Sequence, residues 1–102
     1  MWNLAINRLY YSSYYAIIAL LLCIDIIPKT HKGTNISFNN YFIKTGQISY
    51  NLGKLFSSLF DARQDADYKD FIEYTEEDVI PLIEKTKNFI DTISSYIKEN
   101  YF

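Results

Sequence analysis

The sequence has little of the residues from which many functional sites are built. Of its 102 residues, one is cysteine and one is histidine, so an intrachain disulfide and a zinc site made of several Cys and His ligands are both excluded. This cysteine usage fits a reducing cytoplasm. The net charge is −2 and there is no run of basic residues, which argues against tight, non-specific nucleic-acid binding. No Gly-rich phosphate loop or Ser-His-Asp arrangement stands out, and we expect neither a metal nor a cofactor.

A long hydrophobic run is also missing. The longest apolar stretch, residues 14–24, is eleven residues long and is closed by Asp25. A bilayer-spanning helix needs about 20 residues, so this stretch is typical of a core helix instead. The sequence predicts no membrane span and no signal peptide, and therefore a cytoplasmic protein.

What is present is helical periodicity, interrupted by only three Gly and two Pro. The pattern predicts a long helix over Trp2–Ile27, stopped by Pro28. Its second half is apolar nearly all round, so it should be the central helix. A polar connector is expected over 28–34, followed by a short helix over 35–44 that Gly46 ends as a C-cap residue.

A second long helix is predicted over 49–67, with Gly53 inside it for close helix packing. A short connection over 68–74 follows, and Thr75 opens a capping box before the last helix, which should end near residue 98. Pro81 is awkward there because it lacks an N–H, so either the first turn is kinked or the regular helix starts nearer Val79. The whole chain, 1–102, is expected to be one all-α domain, a bundle of three long helices and one short helix.

Arg63 is the most informative residue. It lies four residues after Leu59 and seven after Phe56, where the apolar stripe of its helix should continue. A charge on a buried face needs a partner or a purpose. Asp67, one turn later, is the expected partner. The alternatives are a paired arginine at the edge of the core and a site residue that faces a groove.

Other candidate site residues lie near the start of the chain. Asn7, Arg8 and Tyr11 share the early part of the first helix, and we consider them either an aromatic packing face with an arginine at its edge or part of a binding surface. His31, the one histidine, falls in the predicted connector. It is expected to be a loop residue unless it joins the site.

The order of several motifs resembles the small bacterial and archaeal branch of the HEPN domain family. The resemblance covers nearly the whole chain and rests on the order and spacing of these segments rather than on any single one. In chain order they are Asn7-Arg8-Leu9-Tyr10-Tyr11, Thr30-His31-Lys32-Gly33, Phe42-Ile43-Lys44-Thr45-Gly46, Leu52-Gly53-Lys54-Leu55-Phe56, Leu59-Phe60-Asp61-Ala62-Arg63-Gln64-Asp65-Ala66-Asp67-Tyr68 and Phe71-Ile72-Glu73-Tyr74-Thr75-Glu76-Glu77.

The resemblance implies an α-helical bundle that dimerises. Many family members are metal-independent ribonucleases of toxin–antitoxin or defence systems, paired with a small nucleotidyltransferase. Their signature is an arginine followed after four to six residues by a histidine, and the two protomers' motifs meet at the dimer cleft. Arg63 matches the arginine, but Tyr68 stands where the shorter motif has its histidine. By analogy only, Tyr68 or Tyr74 is a candidate for modification by the partner enzyme.

Replacement of the histidine limits the expected chemistry. Tyrosine has a pKa near 10 and exchanges protons poorly near neutrality. Five residues also rotate about 140° on a helix, so Arg63 and Tyr68 are expected to share a face only if the helix unwinds near Asp67. Family members commonly have a further helix before the segment that starts at Asn7, and this sequence begins almost there. A second subunit could cover the face that this helix would occupy.

Three hypotheses follow. The first is a degenerate or weakly active HEPN protein in a toxin–antitoxin or defence module with a nucleotidyltransferase. The second is an active ribonuclease in which Arg63 works with Asp67, Tyr68 or a histidine from elsewhere, such as His31. The third is a dimeric helical adaptor with no nucleic-acid role.

Overall fold

Four α-helices make up the chain in a computed structural model that describes residues 1–68 and 72–102. Within those ranges there is no strand, so the predicted all-α bundle of three long helices and one short helix is confirmed. Part of the predicted 68–74 connection lies outside the described residues. The helices are α1 (Trp2–Leu22), α2 (His31–Phe38), α3 (Tyr50–Tyr68) and α4 (Glu76–Tyr101), and α2 runs on into a π-helical turn, Asn39–Ile43.

Helix α1 is the centre of the bundle, as its apolar pattern predicted. It packs against α2, α3 and α4, and its contacts with α3 and α4 are the most extensive between any two helices of the bundle. Its fully buried side chains run along its whole length and include Ile6, Tyr10, Ile17 and Leu20. A helix that is buried on several sides holds its side chains in fixed positions, because neighbouring helices restrict their rotamers.

The predicted end of α1 was wrong, because the helix stops at Leu22 and not at Ile27. Asp25 adopts a left-handed conformation, with φ of 61°. The Ile26 N–H donates to the Leu21 carbonyl at 2.9 Å, and the Asp25 N–H donates to the Leu22 carbonyl at 3.0 Å. This is a Schellman motif, with aspartate in the place that glycine usually takes. The stop is therefore set by Asp25, ahead of Pro28.

The predicted connector over 28–34 was also wrong in its second half, because α2 begins at His31. Thr30 caps the helix, and its hydroxyl accepts a hydrogen bond from the Gly33 N–H at 2.8 Å. The cap satisfies one of the free N–H groups of the first turn. Its consequence is to place His31 at the first helical position, fixed against the rest of the bundle.

Two glycines act as the sequence indicated. Gly46 has a φ of +78° and donates its N–H to the Ile43 carbonyl at 3.0 Å, ending the π-helical turn. At Gly53 a Cβ atom would lie 3.0 Å from Cγ1 of Ile43, tighter than most Cβ contacts. The close approach of α3 to the π-helical turn therefore favours glycine at this position, because any larger residue would make the Ile43 side chain shift.

Helix α4 begins at Glu76, so the alternative start nearer Val79 is not the one adopted. Thr75 and Asp78 form the predicted capping box, in which each residue's side chain accepts a hydrogen bond from the other's backbone N–H. Pro81 lies within the helix, where the carbonyl four residues earlier loses its usual donor. The acidic first turn and the cap offset that loss.

The core is strongly aromatic. Phe38, Phe56 and Phe89, which we call the Phe cluster, are all fully buried. Their ring centroids lie between 5.7 and 6.1 Å apart, in the range of favourable aromatic packing. Tyr10 stacks on Phe56 at 5.8 Å, and this contact continues the aromatic packing from the core toward Arg63.

Candidate functional site

Arg63 lies on the inner side of α3, one turn after the fully buried Leu59. Only 13% of its side chain is exposed. The sequence expectation of a charge on an otherwise apolar face is therefore met in the structure. A largely buried guanidinium has to be compensated locally, and the compensating groups come from α1 and from the next turn of α3.

The predicted pair with Asp67 is present. Nε of Arg63 lies 3.1 Å from Oδ2 of Asp67, but its N–H bond is not directed at the carboxylate and makes no hydrogen bond. The contact is thus an ion pair without a hydrogen bond. A second partner comes from α1, because Nη2 of Arg63 donates to the Tyr11 hydroxyl at 3.2 Å.

Aromatic rings surround the guanidinium. Its central carbon lies 5.7 Å from the ring centroid of Tyr10, 5.5 Å from that of Tyr11 and 5.8 Å from that of Tyr68. Distances under about 6 Å give favourable cation–π interactions, which are stronger where water is excluded. These rings hold the charge without neutralising it, so Arg63 keeps its capacity to bind an anion.

His31 joins the same group of residues. Its Nδ1 lies 2.8 Å from the Tyr10 hydroxyl, and its ring packs on those of Tyr14 at 4.6 Å and Tyr11 at 5.6 Å. The expectation of a lightly bonded loop residue was wrong, since the Thr30 cap brings His31 onto α1. We call Tyr10, Tyr11, His31, Arg63 and Asp67 the Arg63 cluster.

Burial and charge set the protonation of the cluster. Burial raises the pKa of the Tyr10 hydroxyl above its ordinary range, although the nearby charge of Arg63 opposes this. Burial also lowers the pKa of His31, and repulsion by Arg63 adds to that effect. Near neutral pH the tyrosine is therefore protonated and the imidazole is uncharged.

Tyr68 departs from the sequence expectation in one respect. The helix does not unwind near Asp67, because α3 continues to Tyr68. The two side chains are nevertheless long enough for the Tyr68 ring to come within cation–π distance of Arg63. Tyr68 is 73% exposed, so it forms an outer wall of the Arg63 cluster.

Asn7, Arg8 and Tyr11 come together as the sequence indicated. With Ser12 and Tyr15 they line a groove of about 400 Å³ on the outer face of α1. Tyr11 belongs both to this groove and to the Arg63 cluster, so the two are adjacent. Tyr15 is 64% exposed and its ring contacts that of Tyr11 at 6.2 Å.

Sequence reasoning missed two parts of the site. Tyr10 and Tyr14 were not singled out, although both contact His31; their four-residue spacing, which gives them one helix face, was the available signal. Asn3 was not considered. Its side chain donates to the Ile72 carbonyl at 2.9 Å and accepts from the Tyr74 N–H at 2.8 Å, and so fastens the segment before α4 to α1.

Among the residues that the structure describes, no three His, Cys, Asp or Glu side chains come together in a way that would hold a metal ion. Nor is any helix in residues 1–68 and 72–102 apolar enough over sufficient length to cross a bilayer.

The protein is thus a small all-α bundle with a largely buried arginine near the end of its third helix, α3. A sequence model of the HEPN domain matches residues 1–97, and the chain therefore belongs to the HEPN domain family. No solved structure matches the chain significantly.

Similar proteins occur in a bacterium and in an archaeon. A protein of Thermotoga maritima named "UPF0332 protein" is 37% identical over 93% of this chain and 72% of its own length. Two proteins of Methanocaldococcus jannaschii are named "Putative toxin MJ0142" and "Putative toxin MJ0605". They are 34% and 33% identical, over 94% and 93% of this chain. The chain spans 65% of the length of the first and 70% of the second.

Proposed function

We propose that this protein is the toxin-type HEPN component of a toxin–antitoxin or defence module, and that it binds RNA at the Arg63 cluster and cleaves it slowly or not at all. Membership of the HEPN family and the toxin names of two similar proteins support the class. The arrangement around Arg63 supports the location of the site and the low activity.

The position of Arg63 is the observation that carries the proposal. A guanidinium has five N–H bonds, and Arg63 uses one on Tyr11 while Nε lies against Asp67. No other hydrogen bond of this guanidinium occurs among the described residues, so further N–H groups are left for a ligand. A fixed cation in a partly dry site binds a phosphodiester well and stabilises charge that develops on it.

Low activity follows from the residues beside Arg63. Tyr68 stands where the family's signature has a histidine, and it is an exposed tyrosine. Without a histidine at that position of the signature, we expect a rate about 10²- to 10⁴-fold below that of a complete site. Asp67 is ion-paired to Arg63, and an ionised carboxylate in that position also repels the phosphate.

An active ribonuclease is the second candidate, because one observation favours it specifically. His31 contacts the same two rings, Tyr10 and Tyr11, that Arg63 contacts. The Arg63 cluster therefore does contain a histidine, but it comes from α2, whereas the signature places its histidine on the same helix as the arginine. If His31 transfers protons, cleavage should be efficient and should be lost completely in His31→Gln.

Cleavage of a labelled single-stranded RNA in EDTA tests these alternatives. The purified wild type is compared with Arg63→Gln and with Lys54→Gln, which removes one positive charge from another face of α3. We expect RNA binding that Arg63→Gln weakens and Lys54→Gln leaves nearly unchanged, with little or no cleavage. Rapid cleavage by the wild type would replace the first candidate by the second, and absence of any RNA binding would leave the helical adaptor.

The proposal includes a homodimer and a nucleotidyltransferase partner, both of which come from the family resemblance. Light scattering of the purified protein measures the first, and co-expression with a nucleotidyltransferase encoded beside it, followed by affinity purification of one partner, measures the second. A monomer at all accessible concentrations would remove the dimer cleft from the proposal, and failure to co-purify would remove the partner.

A further inference from the structure

The hydrogen bond between Tyr10 and His31 fixes more than the position of the imidazole. The Tyr10 side chain is fully buried, and its hydroxyl has no hydrogen-bond partner among the described residues except Nδ1 of His31. Two arrangements are conceivable, one in which the hydroxyl donates to Nδ1 and one in which Nδ1–H donates to the hydroxyl oxygen.

The first arrangement is favoured. If Nδ1–H were the donor, the hydroxyl proton of Tyr10 would be buried without an acceptor, which costs about 1–3 kcal/mol. If the hydroxyl donates, every polar atom of Tyr10 is satisfied. Nδ1 then carries no proton, and in the neutral ring the proton must be on Nε2. Nε2 makes no hydrogen bond to any described residue, and His31 is only half-buried.

We propose that His31, held by Tyr10 with its proton on Nε2, and Arg63 form a phosphate-binding pair, in which His31 donates a hydrogen bond to the phosphodiester and does not transfer protons. This deepens the proposed function, because it rests on RNA as the ligand of the Arg63 cluster. It also gives a role to His31, which lies outside the signature that Arg63 and Tyr68 belong to.

The groups that face His31 are consistent with an anion ligand. From α1 these are the rings of Tyr10, Tyr11 and Tyr14, none of which brings a carboxylate. From α3 the charge of Arg63 acts on the imidazole, partly compensated by Asp67. On its own segment His31 is followed by Lys32. A phosphate bound here would thus meet two donors, Arg63 and His31, beside the carboxylate of Asp67.

Nitrogen NMR of protein labelled in histidine tests the pair directly. His31 is the only histidine, so the spectrum contains one imidazole whose two nitrogen shifts report the tautomer. We expect the proton on Nε2. Titration with inorganic phosphate should raise the pKa of His31, because a bound dianion favours the charged ring, whereas sodium chloride at equal ionic strength should not. Arg63→Gln should abolish the phosphate effect.

Two variants separate hydrogen bonding from proton transfer. His31→Gln keeps an N–H near the position of Nε2 but has no ionisable group, while His31→Ala keeps neither. We expect the affinity for a short single-stranded RNA, measured by fluorescence anisotropy, to fall by about tenfold in His31→Ala, as loss of a hydrogen bond to a charged group implies. In His31→Gln it should stay within about threefold of the wild type.

Three results would overturn the pair. One is a proton on Nδ1, another is a His31 pKa that does not respond to phosphate, and the third is an RNA affinity that falls equally in His31→Gln and His31→Ala. These outcomes are separable from failure of the proposed function. RNA binding that depends on Arg63 but not on His31 would remove only the pair, whereas phosphate binding without RNA binding would remove only the proposed function.

Discussion

The Phe cluster and the Arg63 cluster are built in the same way and behave differently. In both, aromatic rings from separate helices pack with centroid distances of 5.6 to 6.1 Å, and the Tyr10–Phe56 contact joins them. The Phe cluster is fully buried and wholly apolar. The Arg63 cluster adds hydroxyl groups, an imidazole and an ion pair, and it reaches the surface through Tyr68 and Asp67.

The same aromatic packing forms a core where the rings are phenylalanines and a candidate site where they are tyrosines. A tyrosine buries its ring like a phenylalanine and still presents a hydroxyl at its tip. Tyr10 and Tyr11 therefore bury apolar surface on one side and position His31 and Arg63 on the other. Changes in the Phe cluster should affect stability, and changes at the polar tips of the Arg63 cluster should affect ligand binding.

The largest effect is expected for Phe56→Ala, which removes a ring that contacts Tyr10, Phe38 and Phe89. The free energy of unfolding, measured by urea denaturation, should fall by about 3–5 kcal/mol. Arg63→Gln is the matched comparison within the same helix, and we expect it to cost less, about 1.5–3 kcal/mol, because it loses the charged hydrogen bond to Tyr11. If the two variants lost equal free energy of unfolding, Arg63 would stabilise the fold as much as Phe56 does. That result would contradict the claim that the Phe cluster serves stability and the Arg63 cluster serves ligand binding.

A smaller change is expected for Tyr10→Phe, which keeps the buried ring and removes only the hydroxyl. The free energy of unfolding should fall by about 1 kcal/mol. The pKa of His31 should rise, because Nδ1 loses the donor that favours its unprotonated state. Tyr14→Phe is the control, since the Tyr14 ring packs on His31 but its hydroxyl makes no hydrogen bond to it. An unchanged nitrogen spectrum in Tyr10→Phe would contradict the assigned tautomer.

The pH dependence of stability should show a contribution from His31. Its pKa is lower in the fold than in the unfolded chain, so the unfolded chain binds the proton more readily. The resulting stabilisation is fully present above the unfolded pKa, near 6.5, and is lost as pH falls below it. Urea denaturation at several pH values should show this loss in the wild type and a weaker dependence in His31→Gln; identical profiles would remove the contribution.

The smallest effect on stability is expected for Asp67→Asn, because its side chain is 31% exposed and such ion pairs contribute about 0–1 kcal/mol. Although Asp67→Asn should lower stability slightly, it should strengthen RNA binding, because the variant no longer has a carboxylate that repels the phosphate. RNA affinity should rise by about two- to fivefold. Glu99→Gln, far along the chain on α4, controls for overall charge, and an equal gain in both variants would assign the effect to net charge.

Much of this fold could be predicted because local patterns determine it. Apolar periodicity gave the three long helices, and the Thr75 capping box marked the start of α4. The stop at Asp25 was missed because left-handed aspartate is uncommon and Pro28 is the more obvious breaker. The early start of α2 was missed because Thr30 caps without an acidic residue three positions later.

The candidate site was only half predictable, for a physical reason. Arg63, Asp67 and Tyr68 lie on one helix, so spacing alone relates them. His31 and Tyr10 are 21 residues apart and meet only because α2 packs on α1. Such contacts depend on helix packing angles, which a residue pattern does not specify.

The most direct test of the account is the RNA affinity of Arg63→Gln against that of Lys54→Gln. Both variants remove one positive charge from α3, but Lys54 lies on the open groove of about 460 Å³ between α3 and α4, outside the Arg63 cluster. Fluorescence anisotropy with a single-stranded RNA should show a loss of about tenfold or more for Arg63→Gln and little change for Lys54→Gln. Equal losses in the two variants, or a loss for Lys54→Gln alone, would contradict the claim that RNA binds at the Arg63 cluster.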